Sequence, residues 1–394
     1  MNGRPLRVLV AHNVYQHRGG EDSVMEAEVE LLRRHGHAVE IYLRHNEEIE
    51  HMGRLQAARD ALWSPRTVSD VAAICERFNP DLIHVHNTTP LISPSIFWAA
   101  ERAGVPVVQT LHNFRLLCPQ ALLLREGRVC EDCVGKVPWR GVVHACYRGS
   151  HAQTAVLALG NTVHRWARTW SDKVTRFIAL NDFARDKYIQ GGLPAERIAV
   201  KPNFVDLPAP DFAAPREGLV FVGRLSEEKG VQTLIDAARL MPPGLRLRVV
   251  GDGPLADVLR AEPRIEWLGS APPEQVYAQM RRASLLLLPS IWYENFPRTL
   301  VESFACGTPV LASDLGALPT LIEPGRTGLL APAGNASAWA ERMAWACAHA
   351  DELAVMGGAA RRHYEECWTA QANYEQLMVI YSSAVGGARG HPHQ

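Results

Sequence analysis

The sequence predicts an α/β protein of two doubly wound domains facing across a cleft. Three observations predict it. Short apolar runs alternate with helix-patterned segments along most of the chain, the alternation breaks once at a proline-rich stretch, and polar residues recur directly after the apolar runs. Ligands of open parallel sheets bind beyond the carboxyl ends of the strands, so those polar residues are the first candidates for a site.

The elements follow in order. "RVLVAH" (Arg7 to His12) reads as a strand. "EDSVMEAEVELLRRHGH" places Val24, Ala27, Leu31 and Leu32 at helical spacing, with Gly36 to cap it. "AVEIYL" completes a βαβ unit, and "DLIHVHN" and "VPVVQTLHN" read as two more buried strands. The proline-rich stretch from Lys201 to Gly218 reads as a linker. Beyond it, "LVFVGRL" is a strand and "SEEKGVQTLIDAARL" a helix with Ser226 as N-cap. "LRLRVVGDGP", "IEWLG", "ASLLLLPS" and "TPVLAS" continue the pattern. The expected boundaries are an N-terminal domain over 1–200 with an insert at 114–150, a linker at 201–217 and a second domain over 218–370. A last helix, with a frayed tail "GGARGHPHQ", occupies 371–394.

Composition narrows the function. The 394 residues are 47% hydrophobic and 21% charged, with a formal net charge of −1. That balance argues against a dominant nucleic-acid footprint. "MNGRPLRVLVAHNVY" has no signal-peptide core, and no apolar run approaches a membrane span. A cytoplasmic protein is expected, with peripheral contact at the inner face of the membrane left open. The eight cysteines are not needed as staples in a chain this long.

Several polar residues fall at the strand ends. Gly19 and Gly20 lie between the first strand and its helix, where they serve either a flexible turn or close approach of an anion to the helix start. His86 and His112 each close an apolar strand of the first half, and two such histidines on neighbouring strands point to a polar site. Arg224 and Lys229 follow a strand of the second half. They read either as solvated charges or as a diphosphate clamp set in the first helical turn. Gly251 opens the glycine-rich turn "GDGP", which could let a flat base lie against the backbone.

"WYENFPRTLVESFACGTPVL" carries Glu294 and Glu302 with seven residues between them. Pro297 suits a first helical position, which predicts a helix from Pro297 to Ala305 capped by Gly307. Glu294 then lies in the loop before the helix. Glu302 projects from the second turn, as a solvated charge or as a ligand for hydroxyls.

With "FVGRLSEEKG", "VVGDGP", "KPNFVD", "ENFPRTLVE" and "GTPVLASDLGALPTLIEPGRTGLL" in this order, the chain resembles the GT-B glycosyltransferases, in particular the large retaining family 4. The resemblance covers nearly the whole chain. It implies that Arg224 and Lys229 bind the diphosphate of a nucleotide-sugar donor and that Glu302 holds the ribose. Glu294 would contact the donor sugar, and Asn295, Phe296 and Pro297 would present backbone to it. Gly19 and Gly20 would lie against the phosphates, His112 near the reacting sugar, and Asn203 near the domain junction. The family loop often reads Glu-Gly-Phe-Gly where this chain has "ENFP", so sugar preference does not carry over. No catalytic metal is implied. The acceptor would be a glycan, a lipid-linked sugar or a small molecule in polysaccharide or glycoconjugate biosynthesis.

Two further segments raise their own expectations. Cys118, Cys130, Cys133 and Cys146 lie in the insert, with a Cys-x2-Cys pair at its centre. Four thiolates can bind a structural zinc, although buried thiols or a disulfide account for them as well. "HAQTAVLALGNTVHRWARTWSDKVTRF" mixes Trp166 and Trp170 with basic residues, as a packed helix with a basic edge or a face resting on anionic lipid. Competing activities are a GT-B sugar-nucleotide epimerase, a non-catalytic sugar-nucleotide binder, and a glycosidase using two carboxylates. The last would leave Arg224, Lys229 and the glycine-rich strand ends without a role.

Overall fold

A computed structural model describes residues 4–16, 19–242, 245 and 247–388. The expected tail from residue 389 onward, and His17 and Arg18 in the loop after the first strand, lie outside the described residues. The chain divides into two compact units. Unit 1 comprises 1–123, 131–202 and the segment from Asn373 onward; unit 2 comprises 124–130 and 203–372.

Unit 1 is built on a six-stranded parallel sheet. Its strands are β1 (Arg7–Val14), β2 (Ala38–His45), β3 (Leu82–Asn87), β4 (Val107–Thr110) and, after a two-stranded hairpin of β5 (Leu124–Arg125) and β6 (Arg128–Val129), β7 (Arg176–Ala179) and β8 (Ile198–Val200). The order is β2-β1-β3-β4-β7-β8, with Val8 between Val39 and Leu82. Helices cover a parallel sheet on both faces, so β3 is buried at every position. Helix α1 (Gly20–Arg34) and the final helix, Ala370–Ala388, supply Met25, Val29, Leu32, Leu377, Ile380 and Tyr381 to one core with Val8, Val10, Leu82, Val108 and Ile178.

Unit 2 repeats the plan with β9 (Leu219–Val222), β10 (Leu247–Val250), β11 (Ile265–Trp267), β12 (Leu285–Leu288), β13 (Val310–Ser313) and β14 (Gly328–Ala331), ordered β11-β10-β9-β12-β13-β14. Its core joins Phe221, Leu234, Val249, Leu287 and Leu311 to Trp339 and Met343 of a flanking helix.

In both units the strand order reverses beside the first strand, between β1 and β3 and again between β9 and β12. Loops leaving two strands on either side of such a switch point run apart in opposite directions and leave a crevice at the carboxyl ends. The topology thus sets the β1 and β3 ends together in unit 1, and the β9 and β12 ends together in unit 2.

Several local expectations change. Residues 124–130 group with unit 2, although the insert 114–150 was expected to belong wholly to the N-terminal domain. A two-stranded hairpin has too little surface to bury a core of its own, so it must rest on other structure. A Cβ on Gly127 would lie 3.5 Å from Glu227 Oε1 of unit 2. Ser226 caps no α-helix: Glu227–Lys229 form a separate 3-10 turn, and the α-helix begins at Val231 after Gly230 at φ 71°. Lys229 therefore sits immediately ahead of that helix rather than in its first turn, still at the positive end of the dipole. Pro297 is the N-cap of the helix Arg298–Ala305 rather than its first residue, because its ψ of 121° is extended. Its carbonyl still accepts a 3.0 Å hydrogen bond from Leu300 N.

Candidate functional site

In unit 2 the loop after β9 carries Arg224 and Lys229, and the loop after β12 carries Ser290, Glu294, Asn295 and Phe296. Lys229 Nζ donates to Glu294 Oε1 at 2.7 Å, and Ser290 Oγ donates to the same oxygen at 2.6 Å. Neither bond uses Oε2. Lys229 also lies 5.2 Å from the centre of the Trp292 ring, close enough for a cation–π contact. The Glu294 side chain is 5% exposed and that of Lys229 27%, so the carboxylate is held fast while the ammonium reaches solvent. Arg224 is exposed, and among the described residues it has no ion-pair partner.

Glu302 departs from the solvated reading. It is buried, and its Oε1 accepts from Arg298 Nε at 2.8 Å and from Tyr277 OH at 3.5 Å. Burial raises its pKa, and the Arg298 guanidinium opposes that shift. The sequence signal for this pair was the i, i+4 spacing of Arg298 and Glu302 on one helix. Tyr277 comes from the helix Pro273–Arg282 and had no such signal. Asn203 Nδ2 donates to Phe296 O at 3.2 Å, which ties the start of unit 2 to the "ENFP" loop. Both residues are buried, as is Asn295.

Gly251 and Gly253 have a structural reason to be glycine. At φ 138° and 157°, a Cβ would meet Gly223 O at 1.9 Å and Leu225 O at 2.6 Å. The turn after β10 packs directly on the turn after β9, and so backs the Arg224 loop.

In unit 1, Gly19 is the N-cap of α1, and its amide donates to Asp22 Oδ2 at 2.7 Å. Among the described residues, a Cβ on Gly20 would meet nothing within 4 Å. His86 and His112 meet, as neighbouring strand ends should. Their rings stack with centroids 5.2 Å apart, and His86 Nδ1 lies 2.9 Å from His112 Nε2. His86, Asn87, Gln109, His112, Asn113 and Arg115 help line a cavity of about 60 Å³. Burial lowers the pKa of His84 and of His112 to about 4, and that of His86 further, so all three rings are neutral at pH 7. Asn113 Nδ2 donates to Glu21 Oε1 at 2.7 Å beside them.

Beneath the histidines lies a buried ion pair that sequence reasoning missed. Lys201 Nζ donates to Glu28 Oε1 at 2.5 Å and to Asn373 Oδ1 at 3.1 Å. Burial raises the pKa of Glu28, but Lys201 and the neighbouring rings pull it below the usual carboxylate range. Glu28 could have been found from its place among Val24, Leu31 and Leu32 on the apolar stripe of α1. Lys201 opens the proline-rich stretch, where nothing marked it as buried.

Among the described residues, one group of histidine, cysteine and carboxylate side chains converges closely enough to ligate a metal: Glu28, His84 and His86. Lys201 already supplies the cation there. Both His84 nitrogens are also engaged, Nδ1 2.7 Å from Tyr381 OH and Nε2 2.8 Å from Thr110 Oγ1. Cys118, Cys130, Cys133 and Cys146 form no such group, and Cys130 ends the hairpin segment that belongs to unit 2.

The two halves of the chain match two family models. Residues 18–208 match the Glycosyltransferase Family 4 model, and residues 209–363 match Glycosyl transferases group 1. A phosphatidyl-myo-inositol mannosyltransferase of Mycobacterium leprae is 31% identical over 274 residues, covering 63% of this chain and 69% of that protein. The chain belongs to the family 4 type glycosyltransferases. A second relative of this glycosyltransferase, a D-inositol 3-phosphate glycosyltransferase of Thermobispora bispora, is 29% identical over 344 residues, or 77% and 71% of the two chains. Anabaena HepE in complex with UDP and glucose has a TM-score of 0.67 at 20% identity, over 96% of this chain and all of that one. Sucrose-phosphate synthase from Thermosynechococcus elongatus has a TM-score of 0.71 at 17% identity, over 97% and 100%. These likenesses establish the GT-B fold of the glycosyltransferase.

Proposed function

We propose that this glycosyltransferase is a retaining hexosyltransferase that moves a sugar from a nucleotide-diphosphate sugar to a glycan, lipid-linked or small-molecule acceptor. The reaction belongs to polysaccharide or glycoconjugate biosynthesis. The observation that carries the reading is the Lys229–Glu294–Ser290 cluster beside the exposed Arg224, at the point where the unit 2 sheet reverses. Glu294 Oε2 accepts hydrogen bonds from the donor sugar, while Asn295, Phe296 and Pro297 present backbone to it. Glu302, oriented by Arg298, takes the ribose hydroxyls. Gly19 and Gly20 leave room for the phosphates at the start of α1, and His112 lies near the reacting sugar.

Arg224 and Lys229 neutralise the charge that grows on the diphosphate as the glycosidic bond breaks. They carry the stabilisation that a metal ion supplies in other transferases. The leaving phosphate accepts the acceptor proton on the same face of the sugar, which preserves the anomeric configuration. HepE bound to UDP and glucose supports a nucleotide-sugar donor by analogy of fold.

One surface favours an acceptor carried on anionic lipid. Leu159, Val163 and Trp166 are exposed on one face of the helix His151–Trp166, and Val137, Trp139 and Val143 are exposed nearby. Lys136, Val137, Arg165 and Trp166 line one shallow hollow. No helix among the described residues is long and apolar enough to cross a membrane. Flotation with anionic liposomes, lost in Trp166→Ser, is the expected result for peripheral binding.

Thermal-shift screening of nucleotide sugars, followed by a transfer assay with the stabilising donor, tests the activity. Transfer with retained anomeric configuration is expected. Release of an isomerised sugar from donor alone would make the protein an epimerase, and binding without turnover a sensor.

A further inference from the structure

The buried histidines of unit 1 carry information beyond their place near the donor. His86 touches two different partners. On one side Nδ1 lies 2.9 Å from His112 Nε2, and on the other Nε2 lies 3.5 Å from Glu28 Oε2. Glu28 Oε2 and His86 Nε2 are both buried, face each other at that distance, and have no hydrogen-bond partner among the described residues. A neutral imidazole has one N–H and one bare nitrogen. A bare His86 Nε2 facing a buried carboxylate would set two lone pairs against each other, so the proton belongs on Nε2. Nδ1 is then an acceptor, and the single proton between the two rings must come from His112 Nε2. That leaves His112 Nδ1 bare.

We propose that Glu28, acting through His86, fixes His112 as its Nε2–H tautomer, so that His112 Nδ1 faces substrate as a hydrogen-bond acceptor. Glu28 and His86 are positioning residues: neither touches substrate, the Glu28 charge at 3.5 Å sets which His86 nitrogen carries the proton, and His86 sets the direction of its hydrogen bond with His112. Lys201 makes the arrangement stable by neutralising Glu28 from the opposite side. His84 is tied to Tyr381 and Thr110 and stays outside the chain of bonds. The consequence for the reaction, which rests on the proposed transfer activity, is that His112 can orient a sugar hydroxyl by accepting its proton but cannot donate to a sugar oxygen.

The same geometry predicts what Glu28→Gln does. Lys201 demands an oxygen, so the amide oxygen turns to Nζ and the amide NH2 faces His86 Nε2. Nε2 must then be bare. His86 Nδ1–H donates to His112 Nε2, and His112 is forced into the Nδ1–H tautomer. One isosteric change thus inverts the whole chain.

Nitrogen-15 NMR of the full-length protein labelled at histidine reads this directly, with His112 assigned by the signals lost in His112→Phe. The wild type should show a bare Nδ1 and a protonated Nε2, and Glu28→Gln should show the reverse. His86→Phe should leave His112 sampling both tautomers, which keeps the test available if Glu28→Gln folds poorly. Kinetically, Glu28→Gln should lower kcat at least about tenfold while KM for the donor changes less than about twofold. A protonated Nδ1 in the wild type, or an unchanged His112 spectrum in folded Glu28→Gln, overturns the proposal. The spectra require no turnover, so a failed transfer assay would count against the proposed activity and not against the tautomer.

Discussion

The two units share a topology and differ in how they treat charge at the same topological point. In unit 1 the switch point is sealed. Glu28 is met by Lys201, and three buried histidines are held neutral. In unit 2 the switch point is half open, with Lys229 anchored to Glu294 yet reaching solvent and Arg224 exposed. A buried charge persists only with a partner, whereas a partly hydrated cation can wait for one. The sealed side is suited to orienting neutral groups, and the open side to receiving an anion.

The contrast breaks most visibly at Lys229. Its ammonium both holds Glu294 and faces the proposed diphosphate, so Lys229→Ala should lower kcat by about 100- to 1000-fold. Turnover at saturating donor within about threefold of wild type would remove the cation from the mechanism.

Lys201 should show the opposite profile. Lys201→Met leaves Glu28 charged, buried and unpaired, which costs about 3–5 kcal/mol of stability. Urea unfolding measures it. A loss below about 1 kcal/mol would mean that the pair is not buried as described.

Glu302→Ala should raise KM for the donor by about tenfold and lower kcat less, because ribose binding is shared by ground and transition states. Glu294→Ala should act mainly on kcat. Equal small effects at both positions would return the two acids to surface charge.

The smallest effect concerns pH. His84 and His112 titrate near 4 in the folded protein and near 6.5 when unfolded. As pH falls below about 6.5 the unfolded chain takes up protons that the folded chain refuses. Stability contributed by these two groups is therefore complete above about 6.5 and is lost as pH falls toward 4. Urea midpoints at pH 7.5, 5.5 and 4.5 should decline in that order, and a flat series would show that the histidines are not buried neutral.

Much of this contrast was legible in the sequence, for physical reasons that can be named. Buried parallel strands are continuous apolar runs, so β1, β3, β9, β10 and β12 were visible, and with them the residues that follow them. Arg224, Lys229 and Glu294 were found because loops after strands lie at the ligand edge. The burial of Glu302 was not found, since Tyr277 lies on another helix with no sequence signal, and the i, i+4 spacing to Arg298 does not tell a buried helix face from an exposed one. Lys201 was missed because a proline-rich segment has no periodicity to reveal which side chain turns inward. The Pro297 boundary shifted by one residue because ψ, which separates a cap from a first helical position, is not encoded by proline's fixed φ.

Arg224 offers the cleanest test of the open site, because it is exposed and its loss should disturb no packing. The decisive measurement is kcat of Arg224→Ala at saturating nucleotide sugar, taken with its melting temperature. The account predicts a fall of about 100-fold or more with stability within about 0.5 kcal/mol of wild type. Wild-type turnover in this variant would contradict the diphosphate clamp and with it the assignment of unit 2 as the donor side.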